Sequence, residues 1–247
     1  MLKDKAASDD TYLTLEKRFR TISVPMSRDM FFRLPPNGAY KYEYVDGRAE
    51  ITPEPHCCDL FLNLDTFFAP ERDAYERWAV RPLAGKDWDA LPGLAAGAFF
   101  RVAPFATFGD DALKQVMADE LQKTRSGGDG PLIREACMVA EGEWGAHRKM
   151  QTVGAALATL RKGETNGGEP VPLLTWIFVS PLFKRHGISG GMLAGVVRVL
   201  KEVGHKRLES VVCTGNHASA MWHWRMGFEM GPSLRQKVRR RAAKVQG

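Results

Sequence analysis

The segment from Leu173 to Lys201 does most to restrict the fold. Its first part, Leu-Leu-Thr-Trp-Ile-Phe-Val (173–179), is rich in β-branched and aromatic residues and lies between Pro172 and Pro181. Its middle, Phe-Lys-Arg-His-Gly-Ile-Ser-Gly-Gly-Met-Leu (183–193), sets three glycines and a serine between a basic cluster and an apolar run. From Met192 to Lys201 the apolar residues recur at three- and four-residue spacing. The succession predicts a strand, a glycine-rich turn and a helix. Such a turn directs unpaired backbone N–H groups at one point, and the helix dipole adds to them, which suits an anion and phosphate above all. A tight turn with glycines for close packing is the alternative at this level.

Two common phosphate motifs do not fit. A P-loop needs Gly-Lys-Ser/Thr, and no Lys-Ser or Lys-Thr follows these glycines. A dinucleotide turn needs Gly-x-Gly-x-x-Gly with an acid about twenty residues on. Here Ser189 replaces the second glycine, and Glu209, at the right offset, begins its strand rather than ending it.

The surroundings are those of an ordinary globular chain. With 44% hydrophobic and 26% charged residues, the 247-residue chain is not of the disordered type. No apolar run approaches the ~20 residues that span a bilayer, and the opening MLKDKAASDDTY has no apolar signal core, so a cytoplasmic location without membrane partners is expected. Cys57 and Cys58 are adjacent, while Cys137 and Cys213 stand alone. No C-x-x-C pair occurs, so reduced thiols and no metal site are expected. The net charge of +6 is carried by six cations in residues 235–247, which contain no acid, so residues 1–234 are neutral. The basicity belongs to a tail, read as a solvated terminal segment, and nucleic acid is not expected as a partner.

Along the chain, Tyr-Lys-Tyr-Glu-Tyr-Val-Asp-Gly-Arg-Ala-Glu-Ile (40–51) alternates around Asp46-Gly47, a two-residue hairpin signal. Strands are predicted at 78–83, 135–141, 151–160, 173–179 and 208–214. Helices are predicted at 87–100, interrupted by Pro92-Gly93, and at 110–121, 192–201 and 217–226. From residue 78 onward the order is β-α-α-β-β-β-α-β-α.

Two stretches resemble the Gcn5-related N-acetyltransferases. Lys184-Arg-His-Gly187-Ile-Ser189, preceded by Val-Ser-Pro, is similar to that family's pyrophosphate loop, Arg/Gln-x-x-Gly-x-Gly/Ala, with Lys and Ser as departures. Asn216 to Glu229, Asn-His-Ala-Ser-Ala-Met-Trp-His-Trp-Arg-Met-Gly-Phe-Glu, resembles its closing motif of an Asn, a helix and Gly-Phe. The resemblance covers roughly residues 76–234. It implies an α/β (α+β) acyl-CoA N-acyltransferase fold, whose mixed central sheet splays between its fourth and fifth strands. The expected divisions are an N-terminal extension with the hairpin (1–73), an acetyltransferase domain (74–234) and the basic tail (235–247).

The resemblance also implies acetyl-CoA as co-substrate between strands 173–179 and 208–214. Ile177, Phe178 and Val179 would hold the pantetheine arm. Lys184, Arg185, His186, Gly187, Ile188, Ser189 and Gly190 would take the pyrophosphate, and Asn216 of the closing motif joins the cofactor set. The acceptor would be a small-molecule or peptide amine that attacks directly, in a monomer or homodimer. Leu173 stands where the family often has a glutamate base, so a base acting through water is sought in Glu169, Glu209 or Glu141. His223 stands where the family has a thiolate-protonating Tyr. As a cation it is more acidic than a thiol, although a packed histidine between Trp222 and Trp224 fits equally. The aromatic residues Phe99, Phe100, Phe105 and Phe108 fall where the family shapes its acceptor pocket, with core packing as their other role. A non-catalytic acyl-CoA-binding or regulatory domain is the rival function.

Overall fold

The computed structural model describes residues 19–54, 56–69, 78–144, 149–161 and 170–230. The basic tail and Glu169 lie outside the described residues.

Two sheets are built from these residues, and the smaller comes first in the chain. Asp46 and Gly47 both take positive φ, 47° and 76°. Their backbone twist joins strand β2 (Tyr40–Val45) to β3 (Arg48–Pro53) in the two-residue hairpin expected from Asp-Gly, with Val45 opposite Arg48. Strand β1 (Ile22–Pro25) pairs with the other edge of β3, and a helical turn, α1 (Arg28–Phe31), links it to the hairpin.

The larger sheet has seven strands, ordered β10-β4-β9-β8-β7-β6-β5. They are β4 (Cys57–Asn63), β5 (Trp78–Pro82), β6 (Met138–Trp144), β7 (Lys149–Arg161), β8 (Val171–Val179), β9 (Arg207–Cys213) and β10 (Glu229–Met230). Strands β5 to β8 run antiparallel, β8 and β9 are parallel, and β4 is antiparallel to both β9 and β10. Helices α2 (Leu91–Phe99) and α3 (Asp110–Arg125) cover one face. Helices α4 (Ile188–Glu202) and α5 (His217–Arg225) cover the other. Covered on both sides, β7 reads as a continuous buried run from Val153 to Thr159 rather than an alternation.

Strand β4 departs from the sequence reading, which placed residues 1–73 in an extension. It sits inside the main sheet, pairing over its whole length from Cys57–Cys213 to Asn63–Arg207. Leu60, Leu62 and Leu64 alternate into the core, and that period is the local signal for it. The hairpin region is also tied down. Asn37 Nδ2 donates to the Gly215 carbonyl at 3.4 Å, and the Thr214 hydroxyl donates to the Gly38 carbonyl at 3.4 Å. Gly215, at φ +95°, makes this contact possible, since a Cβ there would lie 2.2 Å from Asn37 Oδ1.

Pro92 and Gly93 do not interrupt a helix but open one. Residues Gly85–Asp89 form a 3-10 turn, and α2 starts at Leu91 with Pro92 in its first turn, where the missing N–H is harmless. Asp87 anchors the turn by accepting from Arg81 Nη1 and Nη2 at 2.7 and 2.8 Å and from the Ala84 N–H at 2.7 Å. Arg81 Nη2 also donates to Glu141 at 2.7 Å, so Glu141 ties β6 to β5.

Candidate active site

The site begins where the sheet comes apart. Strands β8 and β9 pair at two positions, Leu173–Glu209 and Leu174–Ser210, and then part. The β7–β8 ladder steps from Ala158–Leu174 to Leu157–Trp176, which leaves Thr175 as the extra residue of a bulge. A bulge increases local twist and re-aims the strand, here at the last residue before the parting. Past it, Ser180 N–H donates to the Val153 carbonyl at 2.7 Å. By the alternation of antiparallel ladders, Phe178 therefore bonds to β7 while Ile177 and Val179 turn their N–H and C=O groups to the open side. Of the three strand residues expected at a pantetheine arm, Phe178 does not face the opening. Its backbone belongs to β7 and its side chain to the core under α2 and α3.

The glycine-rich turn follows at the C-terminal end of β8, the end at which the strands have parted. Arg185 and Gly187 are both left-handed, at φ 70° and 72°, and Gly187 is the N-cap of α4. No side chain caps this helix, so the N–H groups of its first turn point outward for an anion. Lys184, Arg185, His186 and Gly187 are exposed. Ile188 and Gly190 are buried and Ser189 is half-buried, so Ile188 and Gly190 offer backbone alone.

A cavity of about 290 Å³ runs from the parting of β8 and β9 to α2 and α3. Ile177, Val212, Asn216, Ser219 and His223 line one part, and Phe19, Phe99, Phe105 and Trp176 line another. Asn216 Oδ1 accepts from the Ser219 N–H at 3.1 Å and thereby caps α5 as well as facing the cavity.

His223 is 2% exposed and held at both ring nitrogens. Nδ1 lies 2.8 Å from the Ser219 carbonyl oxygen, which only accepts, so Nδ1 carries a proton. In the neutral ring Nε2 then accepts from the Ser210 hydroxyl at 2.9 Å. Burial pushes the imidazole pKa below its ordinary value, opposed by the bond to the Ser219 carbonyl. The ring also meets Trp222 and Phe228 edge-on, each with centroids 4.8 Å away. A resting cation, as the general-acid role needs, is therefore disfavoured, and the second aromatic neighbour is Phe228 rather than Trp224.

Two of the carboxylates proposed from sequence as bases, Glu209 and Glu141, are engaged in ion pairs. Glu209 is buried, with Oε2 3.1 Å from Arg161 Nη1 and Oε1 3.2 Å from Arg207 Nη2. Both oxygens are engaged, and the residue is absent from the cavity lining. Glu141 is bound to Arg81 as described. The structure brings to the cavity several residues that sequence reasoning passed over: Ser210, Glu120, Thr175 and Cys213. Nothing local marks Ser210, a small polar residue in a strand pattern. Glu120 carries a signal, an acid on the apolar stripe of α3 with Leu113, Val116, Met117 and Leu121. Among the described residues no group of three His, Cys, Asp or Glu side chains is placed to hold a metal ion, and no helix is long and apolar enough to cross a membrane.

The sequence matches no family model and no curated protein. Among solved structures, a GCN5-related N-acetyltransferase from Sphaerobacter thermophilus aligns at 18% identity, with a TM-score of 0.50, over 91% of this chain and 61% of that one. The aminoglycoside N-acetyltransferase AAC(6')-Iy, solved with CoA, aligns at 23% identity over 62% of this chain and 89% of that one, with a TM-score of 0.42. A PaiA N-acetyltransferase from Thermoplasma acidophilum, solved with coenzyme A, aligns at 13% identity over 62% and 89%, with a TM-score of 0.43. The Sphaerobacter structure establishes the class of fold: this chain has the fold of the GCN5-related N-acetyltransferases, as its two motifs imply.

Proposed function

We propose that this protein transfers an acetyl group from acetyl-CoA to a primary amine. The observation that carries this is the parting of β8 from β9 after two residue pairs, with the Gly187-capped helix at its open end. The pantetheine arm would lie along the open edge of β8, bonding the backbone of Ile177 and Val179 as an added strand. Backbone N–H groups from Lys184 to Gly190 would take the pyrophosphate.

In the reaction the neutral amine attacks the acetyl carbonyl carbon, whose developing oxyanion takes a backbone N–H of β8. The C–S bond then breaks and the thiolate leaves. The amine proton passes to Ser210 Oγ while the Ser210 proton passes to His223 Nε2. His223 is thus first an acceptor, which fits a ring that rests neutral. It returns a proton through Ser210 to the thiolate, and every proton is accounted for.

The test is acetyl-CoA calorimetry on Gly187→Val, alongside CoA release from an amine panel. A β-branched residue forced to φ +72° costs about 1–2 kcal/mol locally and puts a Cβ into the turn. Acetyl-CoA affinity should fall at least about tenfold, while the strain lowers the unfolding temperature by only about 2–8 °C and leaves the chain folded at the assay temperature. Unchanged affinity overturns the assignment of the turn. Tight acetyl-CoA binding without turnover of any amine favours the regulatory alternative.

A further inference from the structure

The part of the cavity under α2 and α3 differs in chemistry from the part between β8 and β9. One wall is a chain of touching rings: centroids lie 6.2 Å apart for Phe19 and Phe105, 5.5 Å for Phe99 and Phe105, and 5.9 Å for Phe99 and Trp176. The wall is also fixed in place. Trp176 Nε1 donates to Thr124 Oγ1 at 2.8 Å, and Thr124, on α3, donates to Asp129 at 2.6 Å.

The charged groups beside it are engaged within the protein, Glu120, 3% exposed, among them. Asp129 is bonded to Thr124 and paired with Lys123 at 3.1 Å, and Arg161 is shared between Asp59 and Glu209. A polycation bound here would have to displace these cations to find carboxylates. A sugar would set most of its hydroxyls against ring faces, where they lose water without gaining a partner. A flat apolar body gains on both counts, because it stacks on or edges into preset rings.

We propose that this half is the acceptor subsite, and that its acceptor is a primary amine on a short arm from an aromatic body, an arylalkylamine, rather than an aminosugar or polyamine. The inference rests on the acetyl-transfer assignment for turnover, but the subsite itself does not need it. Trp176 lies one residue beyond the bulge at Thr175. A ring held against Phe99 and Trp176 therefore leaves its amine near the parting of the strands. The apolar walls serve a second purpose, because they disfavour the ammonium form and raise the fraction of neutral amine that can attack.

The test uses the full chain in two arms. In the first, phenethylamine, tryptamine, spermidine, kanamycin and a lysine-containing peptide are each titrated without acetyl-CoA. In the second, CoA release is followed for the same five, and acetyl-CoA binding is measured separately by calorimetry. The arylalkylamines should bind, and turn over by kcat/KM, at least about tenfold better than the others. Phe99→Ala should remove most of that preference while acetyl-CoA affinity stays constant. Phe99→Leu, which keeps the packing volume, should remove the ring preference with little change in unfolding temperature. Equal or better binding of spermidine, kanamycin or the peptide overturns the proposal, as does a preference that survives both Phe99 variants. Failure of the acetyl-transfer assignment looks different: acetyl-CoA does not bind, whatever the amine titrations give.

Discussion

The buried Ser210–His223 pair gives the sharpest energetic test of the site. His223→Phe keeps a ring between Trp222 and Phe228 but removes the acceptor of the Ser210 hydroxyl and the N–H given to the Ser219 carbonyl. Ser210 is itself 2% exposed, and its remaining acceptor, the Leu174 carbonyl, lies at a poor 3.5 Å. A buried polar group left so weakly bonded costs about 1–3 kcal/mol. For a chain of this size a 2 kcal/mol loss lowers Tm by about 4–8 °C. Ser210→Ala strands Nε2 instead and should cost a similar amount. Removing both partners leaves no unpaired group between them, so the double variant should lose clearly less than the sum, with a coupling of about 1 kcal/mol or more. Urea and thermal unfolding of the four proteins at pH 7.5 close the cycle, and strictly additive losses refute the hydrogen bond as the source of stability.

The same pair fixes a pH dependence. Burial lowers the His223 pKa in the folded chain, so on acidification the unfolded chain takes up the proton first. The stability that comes from burying a neutral ring is fully present above about pH 6.5, the ordinary histidine value. It is lost as pH falls from there through the lowered folded value. Phe at 223 carries no such loss, so the Tm gap between the two proteins should narrow from pH 7.5 to pH 5. A gap that stays constant or widens on acidification refutes neutral burial. On the proposed relay the same titration sets the acid limb of kcat/KM, because a protonated His223 cannot accept from Ser210.

Two further outcomes follow from β4. Leu62→Ala, at a fully packed position between β9 and β10, should cost about 2–5 kcal/mol, and a chain starting at residue 74 should be insoluble because β9 becomes a bare edge; a soluble, cooperatively folding truncation would show that the strand is dispensable. Cys57 and Cys213 are direct partners, and the bond from Thr214 N–H to the His56 carbonyl places them at a non-hydrogen-bonded pair with Cα atoms about 4.5 Å apart, within disulfide range. The hydrogen bond with Cys57 and then burial hold the Cys213 thiol well above its ordinary pKa, so diamide should act at Cys57 first and close a Cys57–Cys213 disulfide, read by peptide mass and blocked by Cys213→Ser; recovery of two unmodified thiols refutes the pairing.

What was legible in the sequence was local. The Asp46-Gly47 hairpin, the strand–turn–helix around Gly187 and the helix that follows Asn216 each depend on residues within a few positions of one another. The place of strand β4 in the sheet was not legible, because beyond the short Leu60, Leu62, Leu64 period nothing in the segment names its partner β9, about 150 residues away. Pairing at that distance is decided by what the rest of the sheet leaves uncovered. The pairing of Glu209 and Glu141 was hidden for a related reason. Glu209 looks available in a list of acids, but register sets it against Arg161 from β7 and Arg207 from its own strand. Likewise the state of His223 depends on Ser210, thirteen residues earlier on a different element.

Register also explains why position 173 carries leucine. Leu173 lines the cavity and is the direct cross-strand partner of Glu209, and directly opposed residues share one face of a sheet. A glutamate there would stand beside a buried carboxylate whose two arginines are already engaged, Arg161 with Glu209 and Asp59 and Arg207 with Glu209. Two such acids cannot both stay charged, and one would be driven to its protonated form. A protonated acid cannot serve as a base, and a second acid in competition for the arginines would weaken the clamp that joins β7, β9 and β4 beside the point where the sheet opens. Leucine removes that conflict and adds apolar wall beside the ring of Trp176. Proton transfer then falls to a group that needs no charge at rest, and His223, neutral and reaching the cavity through the Ser210 hydroxyl, is placed for it. On the proposed function, the arginine clamp, the leucine and the buried imidazole are one arrangement, in which the sheet keeps its charges paired and the site works with neutral partners.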